Sequence, residues 1–257
     1  MAPDDHSLAR QQCGAHGSAC LNSSTHARRR SLARLLDLTD PQPDWRVLDV
    51  ATGAGHTART FAQGAAFVIA SDVTSQRLTT ARDHLRGEGF LNTALCQHDA
   101  AHLPYPGATF DLVTCRSAAH HFPDPAAFVR EAARVLKPGG WLALADHMVS
   151  GEPRIAQFVN TLEKLRDPSH HWAYSLDDWQ TFCFSAGLQV VHSELFEQEL
   201  DFDDWAARMG LHGDNGTRLR VLLEQAPQAP REWLHLRRIG RRLLFRLTEG
   251  IVAGRKR

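Results

Sequence analysis

A turn rich in small residues is the first element of this chain that could do chemistry. It contains Gly53, Ala54 and Gly55 and directly follows the apolar run Val47–Val50. Glycine lets the backbone take conformations that a Cβ forbids, so a ligand can approach the main chain closely. In open α/β sheets, nucleotide-like ligands bind at such turns, at the carboxyl ends of the strands. The stretch Gly53–Ala58 also fits the G-x-G-x-x-G/A dinucleotide pattern, so the turn by itself leaves the ligand undecided.

Two acidic residues downstream could bind the rest of an adenosine ligand. Asp72 ends the second predicted strand, where a carboxylate can accept hydrogen bonds from both ribose hydroxyls. Asp99 follows the third predicted strand and can accept a hydrogen bond from the exocyclic amine of adenine. A dinucleotide site uses the first acid but has no need of the second. Asp99 therefore favours an adenosine cofactor other than a dinucleotide.

Three of the 15 histidines are candidate general bases. His121 follows the fourth predicted strand, His26 lies in the N-terminal arm, and His147 follows the fifth strand. Histidine exchanges a proton near neutral pH, although a neutral ring that packs or bonds a carbonyl is the commoner outcome for any one of them. The histidine spacing does not define a set of converging metal ligands, so we expect no metal site.

An alternation of strands and helices must position these residues. Apolar runs predict strands at residues 46–50, 66–71, 93–97, 111–115 and 141–145. Between them, helices are predicted at residues 57–63, from a cap at Ser75, and from Asp124 as N-cap with Pro125 at the first helical position. Lys137–Gly140 is expected to end the last of these helices. Repeated strand–helix units indicate a parallel sheet with right-handed crossovers.

The pattern loosens after residue 146. Residues 155–165, 176–186 and most of 202–243 are predicted helices, and residues 188–195 and 244–253 are predicted strands that pair antiparallel. We expect one domain over residues 1–257. Its parts are an N-terminal arm and helix (1–44), a cofactor-binding core (45–150), helical lid segments (151–187 and 199–243) and closing strands (188–198 and 244–254).

The composition is that of an ordinary globular protein, with 257 residues of which 43% are hydrophobic and 23% charged. The formal net charge of +0 gives no overall attraction to nucleic acid or acidic membranes. No apolar run reaches the ~20 residues that span a bilayer, and the polar N-terminal stretch has no signal core. The 5 cysteines form no C-x-x-C pair, so we expect reduced thiols and a cytoplasmic location.

Three further segments complete a recognisable pattern. Leu103–Pro106, Phe110–Val113 and Leu136–Trp141 follow the glycine turn and the two acids in order and at fitting distances. With them the chain resembles the class I S-adenosylmethionine-dependent methyltransferases, closest to the branch of the ubiquinone/menaquinone C-methyltransferases and their small-molecule relatives. The resemblance is specific over residues 45–146. It implies an α/β fold with a doubly wound, mostly parallel seven-stranded sheet, an antiparallel last strand and helical lid insertions.

The resemblance also implies a role in binding S-adenosyl-L-methionine for each matched residue. The glycine turn would hold the methionine moiety, the second strand end the ribose, the third strand end the adenine, and the fourth strand end the region of the sulfonium. The matched residues, in that order, are Gly53, Ala54 and Gly55, then Asp72 and Val73, then Asp99 and Ala100, then Arg116.

The chain departs from the family pattern at several positions. Ala51 stands where the pattern has its first glycine, and a small pocket should tolerate it. Arg116 is a cation where many relatives have a small or neutral residue, so it could instead face a negatively charged substrate group. Cys13 and Cys20 stand where related arms often bring Phe and Tyr over the cofactor.

The resemblance implies methyl transfer to a small-molecule acceptor, at oxygen or carbon. We expect a ring-containing, quinone- or polyketide-like acceptor because the lid segments are rich in apolar and aromatic residues. A base is needed only if the nucleophile starts protonated, and His121 is the leading candidate for it. One alternative is an RNA or protein methyltransferase that docks through its basic C-terminal helices. The other is a non-catalytic partner subunit that binds the cofactor.

The alternative of an RNA or protein methyltransferase depends on the arginine-rich stretch that begins at Arg218. We expect a solvated helix face that the acidic run Glu194–Asp204 balances, because nucleic-acid binding would need interleaved aromatic residues and a wider basic face. No nucleic-acid partner is therefore expected, and a homodimer is compatible with the sequence.

Overall fold

Strands and helices alternate along the first part of the chain, as the sequence predicts. The computed structural model describes residues 26–211 and 213–257. The helices are α1 (His26–Thr39), α2 (His56–Ala62), α3 (Ser75–Gly87), α4 (Pro125–Val135), α5 (Pro153–Arg166), α6 (Leu176–Ser185), α7 (Phe202–Ala207), α8 (Gly213–Glu224) and α9 (Gln228–Trp233), with a 3-10 turn at Ala119–His121. The strands are β1 (Arg46–Val50), β2 (Phe67–Asp72), β3 (Thr93–Gln97), β4 (Phe110–Arg116), β5 (Leu136–Met148), β6 (Leu188–Asp201), β7 (Arg237–Ile239) and β8 (Arg242–Lys256).

These strands form one sheet in the order β3-β2-β1-β4-β5-β8-β6, with β7 paired to β8 beside this path. β1 to β5 run parallel, and β8 is antiparallel to both of its neighbours, β5 and β6. The strand order reverses between β1 and β4, which opens a crevice at their carboxyl ends, where doubly wound folds bind ligands. The predicted seven-stranded sheet with an antiparallel last strand is confirmed, and β7 is an additional short strand.

Helices cover both faces of the sheet. Leu35 of α1, Phe61 of α2 and Leu85 of α3 are buried in one apolar cluster. Phe128 of α4 and Trp179 of α6 are buried in a second cluster on the other face. Each side chain of this size contributes roughly 1.5–3 kcal/mol when it leaves water. The two layers hold the carboxyl ends of the strands in fixed positions.

A third apolar cluster joins the later helices to the long closing strands. It includes Leu162 of α5, Trp205 of α7, Leu223 of α8 and Phe245 of β8. Because these side chains are at most 1% exposed, the segments predicted as a lid have a core of their own. Within the described ranges, no helix combines the length and the apolar character that crossing a membrane requires.

The ends of the helices agree with the sequence in one case and differ in two. Asp124 caps α4 by accepting a hydrogen bond from the Ala127 amide, with Pro125 next. Ser75, predicted as a cap, is the first residue of α3, and Thr74 is the N-cap. The segment Lys137–Gly140 does follow the helix end, but it lies within β5. A shift in register occurs there, since Leu136 pairs with Phe110 and Trp141 with Leu112.

The largest difference lies near the C-terminus. The prediction of a mostly helical segment over residues 202–243 is wrong for its last part, because β7 and the start of β8 occupy residues 237–239 and 242–243. The closing strands also extend beyond their predicted bounds, to 188–201 and 242–256. Arginines occur in pairs in this hairpin, at 237–238 and 241–242, so the apolar alternation typical of a strand is absent there.

Candidate active site

The turn between β1 and α2 has the backbone conformation of a ligand-binding turn. Gly53 and Gly55 have φ values of +58° and +83°, in the left-handed region that favours glycine. A Cβ on Gly55 would come within 3.2 Å of the Ala81 Cβ, so the turn packs directly on α3. Ala51, which replaces the first glycine of the family pattern, also has a positive φ of 55°. The chain therefore keeps this turn with some backbone strain at Ala51.

Asp49, to which sequence reasoning gave no role, fixes the turn from below. Its Oδ2 accepts hydrogen bonds from Thr52 Oγ1 at 2.6 Å and from the Ala58 amide at 3.1 Å. Its Oδ1 accepts from Thr114 Oγ1 of β4 at 2.9 Å. Burial raises the pKa of Asp49 to about 6, while the bonds from Thr52 and Thr114 oppose that shift. Asp49 thus ties the ends of β1 and β4 to the glycine turn.

Asp72 joins the turn after β2 to the glycine turn. Its Oδ2 accepts from the Gly53 amide at 3.1 Å, and its Oδ1 accepts from the Thr74 amide at 2.9 Å. A carboxylate oxygen has two lone pairs, so each can take one further donor such as a ribose hydroxyl. Val73, the next residue, accepts a hydrogen bond from Gln97 Nε2 at 3.0 Å.

Asp99 and Ala100 lie in the turn after β3, on the same rim of the sheet. The Asp99 carboxylate accepts from the Ala101 amide at 2.9 Å and is 35% exposed. Glycines that allow close approach and two carboxylates that can accept from hydroxyl and amine donors fit an adenosine cofactor. The turns that carry the residues predicted to bind the cofactor thus follow adjacent strands of the sheet, at the same edge.

Arg116 at the end of β4 turns towards the glycine turn. Its Nε donates to Thr57 Oγ1, in the first turn of α2, at 3.0 Å. Its positive charge also lowers the pKa of Asp49, a smaller effect than burial. The guanidinium therefore lies between β4 and the start of α2.

A histidine–aspartate pair that sequence reasoning did not single out lies just beyond Arg116. His120 Nδ1 is 2.6 Å from Asp146 Oδ1, and the Asp146 Oδ2 accepts from the His120 amide at 2.8 Å. An ionised carboxylate can only accept, so it places the proton on Nδ1 and leaves Nε2 as the basic nitrogen. Burial lowers the pKa of His120 and raises that of Asp146. The sequence could have indicated this pair, because His120 follows β4 and Asp146 lies near the end of β5. Parallel neighbouring strands bring such residues to the same edge of the sheet.

The predicted bases lie around this pair. His121 has its Nδ1 3.0 Å from the carbonyl oxygen of Ser169, which likewise leaves Nε2 basic. The His147 ring packs edge-on to the His120 ring with centroids 5.4 Å apart. His26 is the first residue of α1, but its side chain lies outside the described part, as do Cys13 and Cys20.

The segment that follows α5, residues 167–175, packs against His120. The carbonyl oxygen of His120 accepts from the Trp172 amide at 3.0 Å, and the His170 ring stacks on the His120 ring at 5.4 Å. Burial and the neighbouring His120 lower the pKa of His170 to about 3. At neutral pH His120 and His170 are therefore uncharged, and a neutral imidazole can take up a proton. In the described ranges, no group of His, Cys, Asp and Glu side chains could hold a metal ion.

Comparison with known proteins agrees with this geometry. A family model described as a methyltransferase domain matches residues 48–144. The chain is 34% identical to the uncharacterised methyltransferase YcgJ of Bacillus subtilis over 233 residues, which are 90% of this chain and 92% of that protein. The crystal structure of YcgJ superposes with a TM-score of 0.84 at 33% identity and covers 89% of this chain and 99% of its own.

Two relatives carry names that state a reaction. The 27-O-demethylrifamycin SV methyltransferase of Amycolatopsis mediterranei is 32% identical and covers 69% of this chain and 65% of its own. A ubiquinone/menaquinone biosynthesis C-methyltransferase of Ectopseudomonas mendocina is 33% identical and covers 49% of this chain and 51% of its own. The fold, the crevice and the near full-length match to a methyltransferase agree. The chain belongs to the class I S-adenosylmethionine-dependent methyltransferases.

Proposed function

We propose that this enzyme methylates a small, ring-containing acceptor that carries a hydroxyl group, at that oxygen or at the ring carbon which the hydroxyl activates. The observation that carries the proposal is the His120–Asp146 pair at 2.6 Å, at the carboxyl ends of β4 and β5. A base speeds methyl transfer only when the nucleophile starts protonated. A buried, oriented histidine therefore favours a hydroxyl-bearing acceptor over one that reacts without losing a proton.

The cofactor, S-adenosyl-L-methionine, supplies an electrophilic methyl group when bound. The chain's residues hold it in the roles given by the resemblance, with the glycine turn at the methionine moiety, Asp72 and Val73 at the ribose, and Asp99 with Ala100 at the adenine. Arg116, close to Thr57, lies on the cofactor side of the crevice. That position favours a role beside the methionine moiety over contact with a charged acceptor.

His120 Nε2 then takes the proton of the acceptor hydroxyl, and the carboxylate of Asp146 stabilises the imidazolium that forms. His121 has the same tautomer through Ser169 and is the second candidate. Holding the acceptor in line and excluding water supplies most of the acceleration, on the order of 7–11 kcal/mol for well-aligned groups.

The names of the relatives support a ring-containing acceptor, since one acts on a demethylrifamycin and another serves ubiquinone and menaquinone biosynthesis. The lid offers apolar surface near the histidines, where Trp172 and Tyr174 are partly buried. Trp205, in contrast, is 1% exposed and belongs to the core of the lid.

Docking of RNA through the C-terminal segment has less support. Its arginines pair with acids of β6, as in the contacts of Arg246 with Glu197 and of Arg242 with Asp201, both at 2.7 Å. A paired guanidinium offers less attraction to phosphate than a free one.

The test is a screen of phenols, hydroquinones and hydroxylated macrolactones with methyl-labelled cofactor, read by mass spectrometry. We expect product with at least one hydroxylated class, and a loss of 10²–10⁴-fold in turnover in His120→Gln with cofactor affinity retained. Transfer only to acceptors without a hydroxyl would contradict the proposal. A protein that binds the cofactor but methylates nothing would favour the partner-subunit alternative.

A further inference from the structure

We propose that His170, held by Asn160 of α5, is a positioning residue that packs against the ring of His120 and shields it from water, so that the ring stays neutral until it takes the proton of the acceptor. The inference rests on the proposed function, in which His120 takes the proton of the acceptor. It assigns a role to a buried polar pair that no step of the reaction uses directly.

Asn160 is the anchor of this arrangement. Its side chain is buried, with the residue 2% exposed, and its Nδ2 donates to the carbonyl oxygens of Ala156 at 3.0 Å and Ala173 at 3.1 Å. Because both carbonyls can only accept, the amide has one orientation. Its Oδ1 accepts from the Ala173 amide at 2.6 Å and lies 2.8 Å from His170 Nε2. Asn160 therefore places the ring proton of His170 on Nε2.

His170 is fixed from its other sides as well. Lys164 Nζ donates to the His170 carbonyl oxygen at 2.6 Å, which holds the backbone of the segment to α5. The His170 residue is 2% exposed, and its ring stacks on the His120 ring at 5.4 Å between centroids with an interplanar angle of 30°. The His121 ring also packs on His120, at 4.1 Å and a tilt of 44°. His170 shields His120 on the side of the segment after α5, and its hydrogen bond to Asn160 restrains its rotation.

The charged and titratable groups around His120 come from three elements. Asp146 and His147 belong to β5, His121 belongs to the 3-10 turn of His120 itself, and His170, Asp167 and Arg166 belong to α5 and the segment after it. His121, His147 and Arg166 disfavour a proton on His120, and Asp167 favours one. Burial is the largest influence and favours the neutral ring. Removing the cover over His120 should therefore let water in and make the ring easier to protonate.

The experiment is ¹⁵N NMR titration of the histidine rings in the full chain with S-adenosylhomocysteine bound, which needs no acceptor. His120→Gln identifies the His120 signal. In His170→Ala we expect the titration midpoint of His120 to rise by about one pH unit, because the ring becomes hydrated. In His170→Phe, which keeps an aromatic ring over His120, we expect a smaller rise. His171→Ala changes an exposed side chain of the same segment and serves as the matched control.

An unshifted His120 titration in folded His170→Ala would overturn the proposal, as would a shift in His170→Phe as large as in His170→Ala. If His170→Ala does not fold, Asn160→Ser replaces it, because it releases His170 from its hydrogen bond but keeps the ring. We then expect a smaller rise of the His120 titration midpoint, and an unshifted midpoint would overturn the proposal. A different result would show that the proposed function itself is wrong, namely methyl transfer that persists in His120→Gln.

Discussion

Asp49, Asp72 and Asp146 are buried carboxylates at or near the carboxyl ends of β1, β2 and β5. Each accepts at least one backbone N–H from the turn or the start of the helix that follows its own or a neighbouring strand. Hydrogen bonds to a charged acceptor are about twice as strong as neutral ones. These three residues therefore give the irregular turns of the site a defined shape.

Asp72 and Asp99 should differ in what their loss does. Asp72→Ala removes bonds to the Gly53 and Thr74 amides, so we expect weaker cofactor binding and a lower melting temperature. Asp99 is partly exposed, so Asp99→Ala should weaken binding by about 1–3 kcal/mol and leave the melting temperature nearly unchanged. Calorimetric titration with S-adenosylhomocysteine and thermal unfolding measure the two effects. Unchanged affinity in both variants would contradict the cofactor assignment.

Asp49 should make stability depend on pH. Burial raises its pKa from the ordinary 3.8 to about 6 in the folded state, so the folded protein holds this proton more tightly than the unfolded chain. Its contribution to the free energy of unfolding therefore falls, by about 2–3 kcal/mol, as pH rises from about 4 to 6. Asp49→Asn lacks this titration, so its stability relative to the parent should improve over that range. Urea unfolding at several pH values tests this, and a constant difference would refute it.

The choice among histidines shows the limit of sequence at this scale. The sequence places His120 and His121 side by side after β4, and both were visible as a pair. Which ring meets Asp146 depends on the direction of each side chain in a 3-10 turn, and sequence spacing does not specify that direction. The sequence also gives no indication of the role of Asn160, because no sequence pattern distinguishes an asparagine that anchors a neighbouring segment from any other asparagine in a helix.

At the scale of elements, the turn after β1 combines close packing with strain. A Cβ on Gly55 would lie 3.2 Å from the Ala81 Cβ, a tight contact that needs a small shift of the neighbour, whereas Ala51 carries a Cβ at φ 55°. At position 51, the glycine of the family pattern is therefore explained by the positive φ and not by a lack of space for a Cβ.

Ala51→Gly should therefore stabilise the enzyme. Relief of the left-handed strain outweighs the added freedom of the unfolded chain, so we expect a gain of about 0.5–1 kcal/mol in the free energy of unfolding. Ala33→Gly, at an exposed position in the middle of α1, is the matched control and should lose about 0.5–1 kcal/mol. Denaturant unfolding of both variants measures the difference. A loss of stability in Ala51→Gly equal to that of the control would show that position 51 is unstrained.

The elements up to β5 could be predicted because strand and helix periods alternate cleanly there. The cap at Asp124 and the stripe of Phe128, Val129 and Ala132 mark α4 without ambiguity. The β7–β8 hairpin was missed because Arg237, Arg238 and Arg242 are exposed and carry no apolar alternation. Their strand conformation comes from the pairing of β7 with β8 across the short turn at Gly240 and Arg241, and β8 is in turn held by its long pairing with β6 and β5.

At the scale of the whole molecule, the net charge is +0, and many acidic and basic side chains of the described surface form ion pairs with one another. Acids of β6 and α7 contact arginines of the C-terminal segment, among them Glu199 with Arg237 and Asp203 with Arg220. The described surface thus balances the arginine-rich stretch, as the sequence predicts.

We accordingly expect no specific RNA binding. A fluorescently labelled transfer RNA should show no saturable binding at 50 mM salt below about micromolar concentration, where non-specific nucleic-acid binders already bind. Glu197→Gln combined with Glu199→Gln frees two arginines and is the positive comparison, in which weak, salt-sensitive binding should appear. Tight binding by the parent that falls steeply with salt would instead support the RNA methyltransferase alternative.

In the proposed function, the cofactor site at the ends of the parallel strands adjoins the histidines around His120, which lie between the end of β4 and the segment after α5. The most direct test of this account is the single-turnover rate of methyl transfer, with one identified hydroxyl acceptor, in His120→Gln and His121→Gln. We predict a fall of 10²–10⁴-fold in His120→Gln, a much smaller fall in His121→Gln, and cofactor affinity close to that of the parent in both. Equal rates in His120→Gln and the parent would contradict the account.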